Sequence, residues 1–165
     1  MDLAPHTLLC DLMVNPLGIE QRQPQLSWQL PAIDRRGLRQ TAYEIHAATT
    51  ESLLKQGQPD LWNSARVESD QNVHVLYAGK PLRSRQRVFW RVRTWDEKGS
   101  ASKWSDTAWF ETAIAPPDWK ADWIGSPSLI GGKKTGARAP YLRKALNLPC
   151  KPTEARLYVT SLGAN

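Results

Sequence analysis

Residues 87–105, with the sequence RVFWRVRTWDEKGSASKWS, decide the fold of this chain of 165 residues. Three of the chain's eight Trp lie in this stretch, interleaved with basic residues. Because successive side chains of a strand point to opposite faces of a sheet, residues 87–95 separate into a core face and an outer face. The core face holds Val88, Trp90, Val92 and Thr94, and the outer face holds Phe89, Arg91, Arg93 and Trp95.

The residues that follow this strand give the mixture of Trp and Arg a structural explanation. The segment KWSDTAW, residues 103–109, returns beside the strand and can place the Trp104 ring between the Arg91 and Arg93 guanidinium groups. A Trp–Arg stack is worth about 0.5–1 kcal/mol at an exposed site, which favours a structural cation–π stack. Five residues then form the signature of the fold: Trp28, Trp90, Arg91, Arg93 and Trp104.

A sugar-stacking platform is the alternative explanation for the Trp side chains. Carbohydrate binding of this kind needs flat, solvent-exposed rings beside polar groups. Three residues are candidates for such a platform: Trp95, Trp104 and Trp119.

Segments of β-type sequence, separated by turn residues, predict an all-β fold. In QLSWQL, for example, Leu26, Trp28 and Leu30 share one face of a strand. The predicted strands span residues 7–14, 25–30, 41–49, 61–69, 73–79, 87–95 and 107–112, with a short helix or turn at 49–57. About seven strands in roughly 110 residues is the size of one antiparallel β-sandwich domain.

The sequence predicts three parts along the chain. Residues 1–115 form the sandwich, and residues 116–140, which are rich in Pro and Gly, form a linker. Residues 141–165 supply two further strands, at 141–148 and 155–162. Because two strands do not make a stable domain alone, we expect the sequence to stop inside an incomplete second β-domain.

The positive charge does not indicate a nucleic-acid partner. The formal net charge is +6, but residues 1–115 hold 14 Lys and Arg against 13 Asp and Glu. Residues 116–165 hold 8 against 3, so the excess lies in the predicted linker and beyond. A basic run of this kind is typical of a solvated loop.

Membrane and disulfide patterns are also not found. The apolar runs are short, so no membrane span is predicted, and the N-terminal residues lack the basic region of a secretory signal. Cys10 and Cys150 have neither metal-site nor disulfide-framework spacing, and we expect free thiols in a reducing, cytoplasmic compartment.

Catalytic constellations are sparse in this sequence. Asp96 and Glu97 are adjacent in the turn DEKG and cannot flank a substrate as a glycosidase pair must. The three His residues, His6, His46 and His74, have no metal-ligand spacing, and the last two fall on the polar phase of their strands, which predicts surface positions. GGKKTG lacks the spacing and the preceding buried strand of a phosphate loop.

An ordered set of segments resembles the N-terminal region of bacterial α-L-rhamnosidases. The segments are NPLGIEQRQPQLSWQL, RGLRQTAYEIHAAT, LWNSARVES, PLRSRQRVFWRVRTWDEKGSASKWSDTAWFET and ADWIGSP. The resemblance implies a fibronectin type III or immunoglobulin-like sandwich for residues 1–115, and the start of a carbohydrate-binding-like sandwich from YLRKALNL onward. Val88 stands where the family usually has an aromatic residue in the YxW pattern of this strand.

The resemblance also implies what the chain does and does not do. The family hydrolyses terminal α-L-rhamnose with inversion, through an acid and a base in a barrel further along the polypeptide, so no catalytic residue, metal or cofactor is assigned here. We expect a non-catalytic accessory module whose partners are the remaining domains of the parent hydrolase. The alternatives are a module that binds rhamnose-containing glycans through exposed Trp, and a protein-interaction module, because fold does not fix function.

Overall fold

The computed structural model describes residues 4–32, 36–37, 39–125 and 141–160. The chain divides into two compact units, residues 1–118 and residues 119–165. The first unit holds all the regular elements of the described residues: β1 (His6–Cys10), β2 (Gln25–Gln29), β3 (Ala42–Ala48), α1 (Glu51–Lys55), β4 (Trp62–Asn63), β5 (Val67–Glu68), β6 (Val75–Leu76), β7 (Arg87–Trp95), β8 (Ala108–Glu111) and a 3₁₀ turn (Pro116–Asp118).

The strands form two antiparallel sheets, which confirms the predicted all-β sandwich. The first sheet has the strand order β1-β2-β6, and the second has the order β4-β3-β7-β8, with β5 also paired to β3. The strands β3 and β7 pair over seven residues, from Ala42 opposite Trp95 to Ala48 opposite Phe89. This long ladder is the centre of the second sheet and fixes which side chains share its outer face.

The core contains the residues that alternation assigned to it. Val88, Trp90 and Val92 of β7 are fully buried, and Trp28 of β2 lies in the same hydrophobic cluster. The Trp28 ring meets the Tyr43 ring edge-on, with centroids 5.3 Å apart. Alternate side chains of β7 therefore build the core, as the period of two requires.

One predicted strand ends early and another is split in two. In both places the backbone turns into the left-handed region. The strand predicted at 7–14 stops at Cys10, and Asp11 and Leu12 take φ values of 47° and 65°. The strand predicted at 61–69 is split into β4 and β5 at Ala65, which has φ 52° and whose N–H donates to Asn63 Oδ1 at 2.8 Å. Polar turn residues, not a change in hydrophobic pattern, set both limits.

The described part of the region beyond the linker has no strand. Residues 141–160 contain no strand, and Leu157 and Val159 are largely exposed. A strand needs a paired neighbour to satisfy its backbone groups, and the described part of the second unit offers none. The segment GGKKTG and residues 161–162 of the second predicted strand lie outside the described residues.

Candidate functional site

The register of β3 against β7 brings charged side chains together on the outer face of the second sheet. Glu44 is directly opposite Arg93, and His46 is directly opposite Arg91. Glu44 and Arg93 have opposite charges, whereas His46 and Arg91 are both basic, and side chains directly across an antiparallel pair are close enough to interact. The outer face of the sheet is therefore a polar cluster built on its two central strands.

Arginine and tryptophan side chains alternate across this face. The Arg91 guanidinium carbon lies 4.5 Å from the Trp104 ring centroid, and that of Arg93 lies 4.8 Å from it. The same Arg93 carbon is 5.0 Å from the Trp95 ring centroid, and Arg66 is at 5.0 Å from that ring as well. We call the series Arg66, Trp95, Arg93, Trp104 and Arg91 the outer-face ladder.

Two serines hold Trp104 in place over β7. Ser105 N donates to Val92 O at 2.9 Å, and Val92 N donates back to Ser105 Oγ at 3.1 Å. Ser102 makes the same pair of bonds with Thr94, at 2.8 Å and 3.1 Å. The spacing of three residues in SKWS thus allows the chain to pair with β7 through backbone and hydroxyl groups together, which fixes Trp104 between two anchored serines.

Glu44 connects the outer-face ladder to His46. Its Oε2 accepts from Arg93 Nε at 2.7 Å and lies 2.6 Å from Arg93 Nη2, and its Oε1 is 2.9 Å from His46 Nε2. The His46 ring also lies against Trp104, with centroids 4.3 Å apart and planes tilted by 38°. Both carboxylate oxygens of Glu44 are therefore occupied by partners from the domain itself.

Burial and neighbouring positive charge lower the pKa values of two members of this cluster, His46 and Arg91. Burial lowers the pKa of His46, and Arg91 and Arg93 lower it further, while the hydrogen bond and charge of Glu44 act in the opposite direction. Burial also lowers the pKa of Arg91, with repulsion by Arg93 as a further cause. Within the residues that the structure describes, His46 Nδ1 and Arg91 Nε are buried without a hydrogen-bond partner.

A second arginine–tryptophan contact lies on the same sheet, one strand further along. The Arg87 guanidinium carbon is 4.6 Å from the Trp109 ring centroid, and its Nη2 is 2.9 Å from Glu111 Oε2. The register places Arg87 opposite Glu111 and Phe89 opposite Trp109. This contact was not predicted. The available signal was the position of Arg87 and Trp109 on neighbouring strands.

The structure gives the positions of the signature residues and of His46. The structure brings Arg91, Arg93 and Trp104 together outside the core that holds Trp28 and Trp90. The prediction that His46 is a surface residue is wrong, because the ring is buried. The Trp104 ring covers His46 on the polar face of β3 and shields it from solvent.

Arginine side chains lie over two of the three candidates for sugar stacking, Trp95 and Trp104. Trp95 is only 9% exposed, and Arg66 and Arg93 lie over its ring. Trp104 is half-buried beneath two guanidinium groups, and Trp119 is half-buried in the second unit.

The acidic turn has the structural role that its sequence predicted. Asp96 Oδ1 accepts from Lys98 N at 3.0 Å and from Ser100 N at 2.9 Å, and Gly99 takes φ 75°. Among the residues described, no group of three or more His, Cys, Asp or Glu could hold a metal ion, and Cys10 and Cys150 are free. No helix in the described ranges is long and apolar enough to cross a membrane.

Comparison with known proteins assigns the chain to one family. The family model for the Rha78A-like, N-terminal immunoglobulin domain matches residues 5–116. An α-L-rhamnosidase of Formosa agariphila is 40% identical over 166 residues, and one of Alteromonas sp. is 42% identical over 156 residues. These matches cover 97% and 91% of this chain but only 18% and 17% of the two relatives.

Solved structures give the same result. The chain superposes with a TM-score of 0.71 and 40% identity on the Streptomyces avermitilis α-L-rhamnosidase complexed with L-rhamnose, covering 76% of this chain and 12% of that one. The α-L-rhamnosidase of Dictyoglumus thermophilum matches with a TM-score of 0.71 and 33% identity, over 74% of this chain and 14% of that one. The chain belongs to the Rha78A-like N-terminal immunoglobulin domains, the N-terminal domain of α-L-rhamnosidase homologues.

Proposed function

We propose that this chain is a non-catalytic accessory module of an α-L-rhamnosidase that hydrolyses terminal α-L-rhamnose with inversion. The observation that carries the proposal is the closed outer face: its charged and aromatic groups bind one another. Glu44 has a partner on each carboxylate oxygen, and the Trp104 ring has two guanidinium groups and His46 against it. Groups occupied in this way are not offered to a substrate.

The chemistry of glycoside hydrolysis supports the same proposal. An inverting enzyme needs two carboxyl groups about 6.5–9.5 Å apart on opposite sides of the sugar ring, with room for a water molecule. Asp96 accepts two backbone N–H groups of its own turn, and Glu111 is paired with Arg87. We infer that the acid and the base of the parent enzyme lie in the polypeptide outside this domain.

The size of the match supports an architectural role. The chain spans less than a fifth of the length of the curated relatives it matches. A sandwich of this size that is closed on its outer face contributes most by packing on the remaining domains of the polypeptide, and this role needs no cofactor.

Assay of the 165-residue chain on an aryl α-L-rhamnoside tests the proposal. We expect no turnover above the uncatalysed background. Turnover that persists through purification and is lost on heating would refute the non-catalytic role.

Titration with L-rhamnose tests the glycan-binding alternative. We expect the Trp fluorescence of the chain to stay unchanged, because the rings of Trp95 and Trp104 are covered by Arg side chains. A saturable change that is lost in Trp104→Phe would favour a carbohydrate-binding module instead.

A further inference from the structure

Four apolar side chains are exposed in the loop that follows β1. Leu12 is 63% exposed, Met13 49%, Val14 67% and Leu17 54%. Scattered exposed apolar residues are normal on a monomeric domain, whereas several grouped in one loop are typical of an interaction surface. We call Leu12, Met13, Val14 and Leu17 the apolar tip.

Backbone bonds hold the apolar tip in a strained conformation. Met13 N donates to Cys10 O at 3.0 Å, and Cys10 N donates to Met13 O at 2.9 Å. Leu12 takes a φ value of 65°, which side chains with a Cβ rarely adopt. Strain of this kind persists where the surroundings enforce it, and it is concentrated at functional sites. The loop therefore presents its apolar side chains in a fixed arrangement.

Polar groups surround one side of the apolar tip. Leu12 and Leu76 line a shallow depression together with Asp11, Glu20, Arg22 and Gln25. Protein interfaces typically have an apolar centre and a polar, hydrated rim. The depression and the apolar tip share this composition, which fits a protein partner better than a small ligand.

The apolar tip is beside the strand with which the sandwich ends. Glu111 N donates to Pro16 O at 2.9 Å, and Ala113 N donates to Ile19 O at 2.8 Å. The last residues of the domain are thus bonded to the same loop. In the relative from Formosa agariphila, the matched region is 18% of the polypeptide, so most of that protein lies outside it. Attachment to the same polypeptide gives that remainder a high effective concentration at the loop.

We propose that the apolar tip docks on an apolar surface of the rhamnosidase polypeptide, in the part outside the region that this chain matches. This inference rests on the proposed function, and it names the surface through which the accessory module is held. A second copy of the chain is the competing occupant.

Oxidation of Met13 measures whether the apolar tip is covered. The samples are the isolated 165-residue chain and the Formosa agariphila relative with its matching region exchanged for this chain. We expect peroxide to oxidise Met13 several-fold more slowly in the exchanged full-length protein, because oxidation follows exposure. Peptide mass spectrometry identifies Met13 by its own peptide, separately from Met1 of the same chain and from any Met in the rest of the relative. Equal rates in an active full-length protein would overturn the docking proposal and leave the proposed function standing.

Substitution of the apolar tip gives a second, independent measurement. Leu12→Asn should lower the melting temperature of the full-length protein and leave that of the isolated chain unchanged. Val73→Asn is the control. Val73 is 50% exposed, and its neighbour Asn72 accepts from Trp28 N, at the end of β2 away from the apolar tip. Equal effects of the two substitutions would contradict the proposal.

Sedimentation of the isolated chain tests the competing occupant without the exchanged protein. We expect a monomer. A dimer that Leu12→Asn dissociates would assign the apolar tip to a second copy and overturn the proposal. Failure of the proposed function itself would appear separately, as hydrolysis of the aryl rhamnoside by the isolated chain.

Discussion

Removal of the Trp104 ring tests whether the outer-face ladder stabilises the domain. The ring contacts Arg91 and Arg93 at 4.5 Å and 4.8 Å, and it lies 4.3 Å from His46. Trp104→Ala removes all three contacts at once while leaving the anchoring bonds of the neighbouring serines in place. The substitution therefore reports on the ring and not on the path of the backbone.

The expected loss of stability follows from these contacts. Two cation–π contacts at about 0.5–1 kcal/mol each contribute about 1–2 kcal/mol. The contact between the His46 and Trp104 rings adds about 0.5–1.5 kcal/mol if it behaves as an aromatic pair. The sum is about 1.5–3.5 kcal/mol, before any loss of apolar burial. In a domain of this size, this corresponds to a fall in melting temperature of roughly 10 °C.

Urea and thermal unfolding followed by far-UV circular dichroism measure this change, because fluorescence would be altered by the loss of a Trp. Trp123→Ala is the matched control, since Trp123 is 68% exposed and lies in the second unit. Trp104→Phe keeps a smaller ring and should give an intermediate loss. A Trp104→Ala variant as stable as the Trp123→Ala control would refute the assignment of the outer-face ladder to stability.

Two further substitutions probe the cluster and the packing around it. Burial lowers the pKa of His46 from its ordinary value of 6.5, so the folded domain binds fewer protons than the unfolded chain below that pH. The free energy of unfolding should therefore fall as the pH drops through about 6.5, and the fall should be smaller in His46→Gln, as urea unfolding at several pH values will determine. Gly79→Ala would place a Cβ 2.5 Å from Trp62 Cβ and from Tyr77 Oη, so we expect a loss of about 1–3 kcal/mol. Thermal unfolding checks this against Gly125→Ala, whose Cβ would meet nothing within 4 Å, and equal melting temperatures would contradict the packing argument.

Alternation in one strand was enough to predict the centre of the fold and part of the outer face. It assigned Trp90 to one face of the sheet and Arg91 and Arg93 to the other. The period of two holds whatever covers each face. It also placed Trp104 near the two guanidinium groups, because the turn at residues 96–99 returns the chain beside β7.

Glu44 and His46 could not be found from the pattern of their own strand. A polar residue on every second position normally indicates a solvated face, and β3 has that pattern. The Trp104 ring lies against His46 and the Arg93 side chain is bonded to Glu44, and both contacts depend on the pairing of β3 with β7. The opposite charges of Glu44 and Arg93 were the available signal, but only once the register was known.

The strands expected at 141–148 and 155–162 show what alternation does not provide, which is a pairing partner. Residues 155–160 alternate apolar and polar side chains in part, yet residues 141–160 contain no strand. Hydrophobic period predicts which face a strand would bury, and it does not supply the neighbour that satisfies the backbone. Alternation alone therefore predicts the two faces of a strand, and the pairing has to come from a neighbouring strand.

The energetics of the outer-face ladder also separate the two main explanations of its Trp residues. A sugar that stacked on Trp104 would have to displace Arg91 or Arg93 from the ring. Displacement of Arg93 would also disturb its contact with the buried Glu44, which would keep only His46 as a partner. A sugar stacked on the Trp104 ring would therefore have to compensate for both the weakened Arg93–Glu44 contact and the lost cation–π contact. The contacts within the outer-face ladder occupy its charged and aromatic groups, so a partner is better sought elsewhere on the first unit, where four of the six exposed large apolar side chains described lie in the apolar tip.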